Sequence, residues 1–87
     1  MNKHCLKIHK EHFNNVKAGT KTFEIRNNDR AFQKGDSVLL REFDPSGTIE
    51  SHKYSGRELE FKIGDVYPID AERVVFSLLP IEVKGEH

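Results

Sequence analysis

Three residues in one short stretch have types and spacing suited to joint chemistry: Lys21, Glu24 and Arg26, within GTKTFEIRNNDRAFQKGD (19–36), with Arg30 following a turn later. Thr22, Glu24 and Arg26 stand two apart, so an extended chain projects them from one side and Phe23 and Ile25 from the other. A guanidinium and an ammonium beside one carboxylate can hold an anionic or carbonyl-bearing ligand. Glu24 then orients the cations or accepts from a base amino group. The same Glu24 and Arg26 also describe a surface salt bridge along a strand face, worth about 0–1 kcal/mol. Periodicity does not separate these readings.

Other constellations are weaker. His4, His9, His12 and Cys5 are zinc-type ligands, but their spacing matches no closed Cys/His site and they fall on a strand and a helix, so no metal is expected. Cys5 near a histidine is a nucleophile pair in type only, since a lone cysteine beside an apolar strand reads as inert packing. There is no phosphate loop and no dinucleotide fingerprint, the glycines occur singly at turns, and no cofactor is expected. Phe13, Phe32 and Phe43 read as core. Tyr54, in polar surroundings beside Arg57, is the better candidate for stacking on a base.

The elements that must position these residues follow from periodicity. Lys3 to Ile8 alternates His4, Leu6 and Ile8 against Lys3, Cys5 and Lys7, which reads as a first strand with Lys7 on its wet side. Phe13 and Val16, three apart and followed by Gly19, read as a short helix with a left-handed end and no N-terminal cap residue. Thr22–Arg26 is a second strand, expected to bury Phe23 and Ile25 and to project its polar set. Asn27, Asn28 and Asp29 suit a turn, Phe32 packs back on the core, and Ser37–Phe43 is a third strand. Asp44-Pro45-Ser46-Gly47 opens a polar hairpin loop over 44–53. Glu58–Ile63 is a strand with Leu59, Phe61 and Ile63 inward, ended by a break at Gly64-Asp65. Val74–Val83 is a long strand bent at an edge near Pro80, and the tail 84–87 is expected to be mobile.

The totals bound the architecture. With 87 residues, 36% hydrophobic and 32% charged, the chain reads as one globular domain, 1–87 with its core in 3–83. A domain this size buries about 60–65% of its unfolded surface. No apolar run reaches the ~20 residues of a membrane span, no signal-peptide core is visible, and one cysteine makes no internal disulfide, so a cytoplasmic protein is expected. Net charge is zero but lopsided: residues 1–41 carry nine Lys/Arg against four acids, the remainder five against ten. That imbalance either focuses a positive potential on one side or folds away into internal ion pairs. Five to six short strands and one early helix point to a mainly β (α+β) fold, a curved sheet closing into a small barrel with the helix at one end.

The pattern Gly19-x-Lys21-x-x-Glu24-x-Arg26 resembles the signature of the ASCH domain (activating signal cointegrator homology), a branch of the PUA-like superfamily. HCLKI, HFNNVKAGTKTFEIRNNDRAFQKGDSVLLREFDP and YSGRE are similar to a family of small ASCH-like proteins of unknown function from bacteria and their phages, over roughly residues 4–83. The resemblance implies a PUA-like β-barrel with its helix beside a cleft, into which Lys21, Glu24 and Arg26 project, and a role in RNA binding. Related ASCH proteins include amidohydrolases of acylated cytidine that use the motif lysine with a threonine and a distant glutamate. Lys21 matches the lysine, but Glu24 occupies the threonine position, Thr22 does not substitute without moving, and Glu58 and Glu60 are only candidates for the glutamate. A nucleophilic or basic lysine must shed its proton, and a neighbouring carboxylate favours the ammonium.

The expectation is therefore a non-catalytic module for RNA or a nucleotide-like ligand. Lys21, Arg26 and Arg30 contact phosphate or base, Lys7 and Thr22 lie beside them, and Tyr54 and Arg57 border the cleft. The alternatives are an amidohydrolase of acylated nucleosides carried by Lys21 and Glu24, and a protein-interaction module such as a phage factor that binds a host protein.

Overall fold

A computed structural model describes residues 1–44 and 54–81. Its elements are β1 (Lys3–His9), α1 (Lys10–Ala18), β2 (Phe23–Asn27), β3 (Ser37–Phe43), β4 (Tyr54–Pro68) and β5 (Arg73–Pro80). Most of the hairpin loop expected over 44–53, the last residues of the strand drawn to Val83 and the tail 84–87 lie outside the described residues. The strands form one sheet in the order β1-β3-β4-β5-β2, curled into a half-barrel. β1 runs parallel to β3, and every other pairing is antiparallel. The first two strands in sequence are thus the two outer edges.

The core follows the alternation. His4, Leu6 and Ile8 point inward from β1, Val38 and Leu40 from β3, Ile63 from β4, and Val74, Phe76 and Leu78 from β5. Phe13 and Val16 face the sheet from α1, and Phe32 packs on Phe76 at 4.9 Å between ring centroids. Leu59 and Phe61 are half-buried against this cluster. Burying apolar area at about 25 cal/mol per Å² is what makes the curl favourable, because a flat sheet this narrow encloses little.

Two sequence expectations need correction. The break at Gly64-Asp65 is a bulge inside a 15-residue β4, with the register slipping between Ile63 and Val66. Gly64 lies so close to β5 that a Cβ there would sit 2.3 Å from Ser77 Oγ, and the same hydroxyl accepts the Asp65 N–H at 2.9 Å. A bulge adds bend without ending the strand. The second correction is the facing of β2: Glu24 is buried, whereas Phe23 and Ile25 are exposed. By contrast Pro80 sits at a local edge. Leu78 N–H bonds the Thr22 carbonyl just before β2 begins, so the missing N–H of Pro80 faces a side that β2 does not reach.

Two buried carboxylates, Asp36 just before β3 and Glu42 near its end, gather hydrogen bonds from neighbouring segments. Asp36 opposes its own ionisation by being buried, yet the His4 Nε2 bond at 2.9 Å and the N–H groups of Asn2 and Gln33 outweigh this and hold its carboxyl below the ordinary range. Glu42 on β3 takes both arms of Arg57, Nε at 2.8 Å and Nη2 at 2.6 Å, and also accepts from the Ser55 hydroxyl. The same guanidinium reaches Asn14 Oδ1 at 2.9 Å and lies 4.8 Å from the Phe13 ring, so it ties α1 to the β3–β4 hairpin.

The Arg57 and Ser55 hydrogen bonds pull the Glu42 carboxyl from an ordinary 4.5 down to about 2, against the opposing effect of burial. A depressed carboxyl contributes stability that is complete above its unfolded pKa and is lost as pH falls through the folded one. Glu42→Gln is expected to cost about 1.5–3 kcal/mol at pH 7. In urea titrations its difference from wild type should stay constant above pH 4.5 and shrink between pH 4.5 and about 2.

Candidate functional site

The inverted facing of β2 creates the site. Even-numbered residues of β2 bond to β5, as shown by Leu78 N–H to Thr22 O at 2.9 Å, Asn28 N–H to Glu72 O at 2.8 Å and the opposed pairs Glu24–Phe76 and Arg26–Val74. Their side chains point inward, so Glu24 enters the half-barrel where an apolar residue was expected. Odd-numbered residues of β1 face away from β3: Asn2 O bonds Ser37, while the carbonyls of Cys5 and Lys7 look across the seam toward β2.

Arg26 and Arg30 cross that seam. Arg26 Nε donates to Glu24 Oε1 at 3.0 Å and its Nη2 to the Lys7 carbonyl at 2.8 Å, while Arg30 Nη1 donates to the Cys5 carbonyl at 3.2 Å. Glu24 Oε2 is buried with Lys21 Nζ 3.3 Å away, and no hydrogen bond is aligned on it among the described residues. Lys21 is delivered by the end of α1. Gly19 adopts φ +84°, a conformation with no penalty only for glycine. The N–H groups of Gly19, Thr20 and Lys21 then return to the last carbonyls of the helix, Val16 and Asn15.

Between the two edges lies a cleft of about 440 Å³, walled by Lys7, Ile8 and His9 of β1, His12 of α1, Lys21, Phe23–Arg26 and Phe43. Below Arg26 a smaller cavity of about 160 Å³ is lined by Leu6, Asn27, Asp29, Arg30 and Phe32, so the Arg26 side chain is the partition. The structure thus brings Lys7, Lys21, Glu24 and Arg26 to one cleft and places Arg30 behind the partition. Thr22 precedes β2 and lines neither cavity. Tyr54 packs on Phe43, itself a cleft residue, and on Arg41, and Arg57 is committed to Glu42, so neither Tyr54 nor Arg57 lines the cleft. His9 and His12, considered in the sequence only as zinc ligands, line the cleft with rings 6.4 Å apart. Among the described residues no group of three or more His, Cys, Asp or Glu could hold a metal, and no helix is long and apolar enough to cross a membrane.

The charge asymmetry resolves in the same place. Lys3, Lys10, Lys34 and Arg41 of the basic half pair with Glu60, Asp44, Asp65 and Glu58 of the acidic half. The cations left lining the cleft are Lys7, Lys21 and Arg26, with one carboxylate, Glu24, among them. Lys7 makes no ion pair among the described residues, and its ammonium rests 4.8 Å over the Phe43 ring.

A family described as a domain of unknown function (DUF3850) matches residues 3–78, from the first residue of β1 to the last buried leucine of β5. The chain belongs to the DUF3850 family. It is similar to an uncharacterized 12.9 kDa protein in the GpA 3′ region of Escherichia phage P2, 29% identical over 89 aligned residues that cover 93% of this chain and 76% of the relative. The DUF3850 match therefore includes both walls of the cleft and the partition between its cavities.

The partition is testable. Arg26→Lys keeps the charge but supplies one ammonium where a fork reaches two acceptors, Glu24 Oε1 and Lys7 O. It is expected to lower stability by about 1.5–3 kcal/mol in urea unfolding. Lys34→Ala, which removes an exposed pair with Asp65 at 3.7 Å, should change stability by less than about 0.5 kcal/mol.

Proposed function

We propose that this DUF3850 domain is an RNA- or nucleotide-binding module of the ASCH and PUA-like kind, with the seam between β1 and β2 as its binding cleft. The observation that carries the reading is the distribution of charge. After four pairs cancel most of the sequence asymmetry, three of the five cations left in the basic half, Lys7, Lys21 and Arg26, converge with His9, His12 and Phe43 on one cleft. A net positive recess with aromatic walls suits a phosphate and a base together, and its volume of about 440 Å³ suits one nucleotide. The curled sheet with one helix is compatible with the barrel that the Gly19-x-Lys21-x-x-Glu24-x-Arg26 resemblance implies. Such a module works in the cytoplasm, and the phage relative fits an origin in a phage or prophage.

The amidohydrolase alternative is disfavoured by geometry, because Lys21 Nζ lies 3.3 Å from the Glu24 carboxylate rather than free to attack. A protein partner is favoured by one observation: Ile25, Val75 and Tyr67 stand side by side across β2, β5 and β4, with Ile25 and Tyr67 exposed. Loss of a bound lysate protein on Tyr67→Glu, with RNA binding unchanged, identifies that second use of the fold.

For the leading reading, Lys7→Ala and Lys21→Ala should each weaken binding of short single-stranded RNA and reduce the slope of log affinity against log salt by about 0.7. Lys17→Ala, on α1 outside the cleft lining, should leave both unchanged. Salt-independent binding, or an equal loss from Lys17→Ala, removes the assignment. Hydrolysis of acylated nucleosides by wild type and not by Lys21→Ala replaces it with the enzyme.

A further inference from the structure

The cleft has a second set of binding groups that no charged side chain supplies. Because the even-numbered residues of β2 spend their main-chain groups on β5, the N–H and C=O of Phe23 and Ile25 point the other way, into the seam. Among the described residues these groups have no partner in the ladder, and both residues line the cleft. Sheet edges are ordinarily blunted by lysine, proline, a bulge or a covering segment. The facing edge is blunted here: Arg26 and Arg30 cap the carbonyls of Lys7 and Cys5. FEIRN of β2 contains no Lys, Pro or Gly and shows no register shift against β5. One edge of the seam has its carbonyls capped; the other carries only the inward charges of Glu24 and Arg26, and the main-chain groups of Phe23 and Ile25 stay open.

We infer that this open edge captures a nucleobase through the main chain of Phe23 and Ile25, while Lys7 and Lys21 take the phosphate. The inference rests on the RNA or nucleotide reading proposed above. Each of these residues presents a donor and an acceptor side by side, and every nucleobase carries an adjacent donor and acceptor on its Watson–Crick edge. Capture of this kind accepts all four bases with small differences among them. The exposed Phe23 ring and the Phe43 ring in the lining offer apolar faces to the base. An extended peptide would satisfy the same edge groups, but a strand lying along β2 has to pass Arg26, whose guanidinium spans the seam to Lys7 O at 2.8 Å. A compact planar group fits above that partition.

The experiment uses the full chain and single-stranded RNA pentamers of A, C, G or U, with an abasic pentamer for comparison. All four natural pentamers should bind at least about tenfold more tightly than the abasic one. In an amide NMR titration of wild type, Phe23 and Ile25 should shift with the natural pentamers and not with the abasic one. Glu24 and Arg26, whose N–H groups lie in the β5 ladder, should move little. Ile25→Pro removes only an N–H that faces the seam, where proline is tolerated on an edge. It should lose the tenfold advantage, which Lys17→Ala, on α1 outside the cleft lining, should retain. Equal binding of natural and abasic pentamers, or shifts that spare Phe23 and Ile25, overturns the inference and leaves the RNA reading standing. Failure of every pentamer to bind overturns both, as does protection of the two amides by an extended peptide and by no RNA. If Ile25→Pro does not fold, the wild-type titration alone decides.

Discussion

The guanidinium of Arg26 is the hinge pin of this molecule. It binds the buried carboxylate of its own strand and the main-chain carbonyl of the opposite edge, and so connects two strands that share no ladder. A sheet in the order β1-β3-β4-β5-β2 has two free edges and must either close or protect them. Here it does neither fully. The edges are held at the distance an arginine side chain can bridge, and the space that remains is the cleft. Glu24 is buried because Arg26 and Lys21 accompany it inward, and without them a carboxylate at that depth is strongly unfavourable.

That arrangement also explains how a neutral protein acquires a positive recess. Ion pairs between the two halves of the chain are mostly exposed and contribute little stability singly, but they have a spatial effect. Each basic residue matched to an acid elsewhere is removed from the long-range potential, leaving the seam as the place where cations outnumber acids. Focusing of a field by a low-dielectric cleft needs no large net charge, only an uneven one.

Much of the fold was legible in the sequence. The strand of VLL over Ser37–Phe43, the alternation of Leu6 and Ile8, the helix ended by Gly19 and the turn after Arg26 follow from periodicities and from glycine, which carry local information. The facing of β2 was not legible, and the reason is physical. Alternation states which residues share a side, and hydrophobicity normally says which side is inward, but a carboxylate with two cationic partners can enter a half-open barrel while Phe23 and Ile25 stay out. The bulge at Gly64 was invisible for a related reason, since it is defined by the Ser77 hydroxyl on another strand. Of the candidate site residues, those in the Lys21–Arg26 stretch meet because they are local, and Lys7 joins them because β1 and β2 face each other across the seam. Arg57, read in the sequence as bordering the cleft, is not among its lining residues, because its fork is held by Glu42, 15 positions away, a pairing that no local pattern announces.

The parallel pairing of β1 with β3 has a consequence for assembly. β3, β4 and β5 form a continuous antiparallel meander that closes through neighbouring segments, whereas β1 and β2, joined by the short α1 connection, must dock on opposite ends of it. Contacts that close long loops incur more entropy and form later. The β1-α1-β2 segment, whose pairings with β3 and β5 span the longest stretches of chain, is therefore the part that finds its place last. β1-α1-β2 carries every strand-borne cation of the cleft yet has no cleft until β2 has docked on β5, so the recess exists only once the whole sheet is assembled.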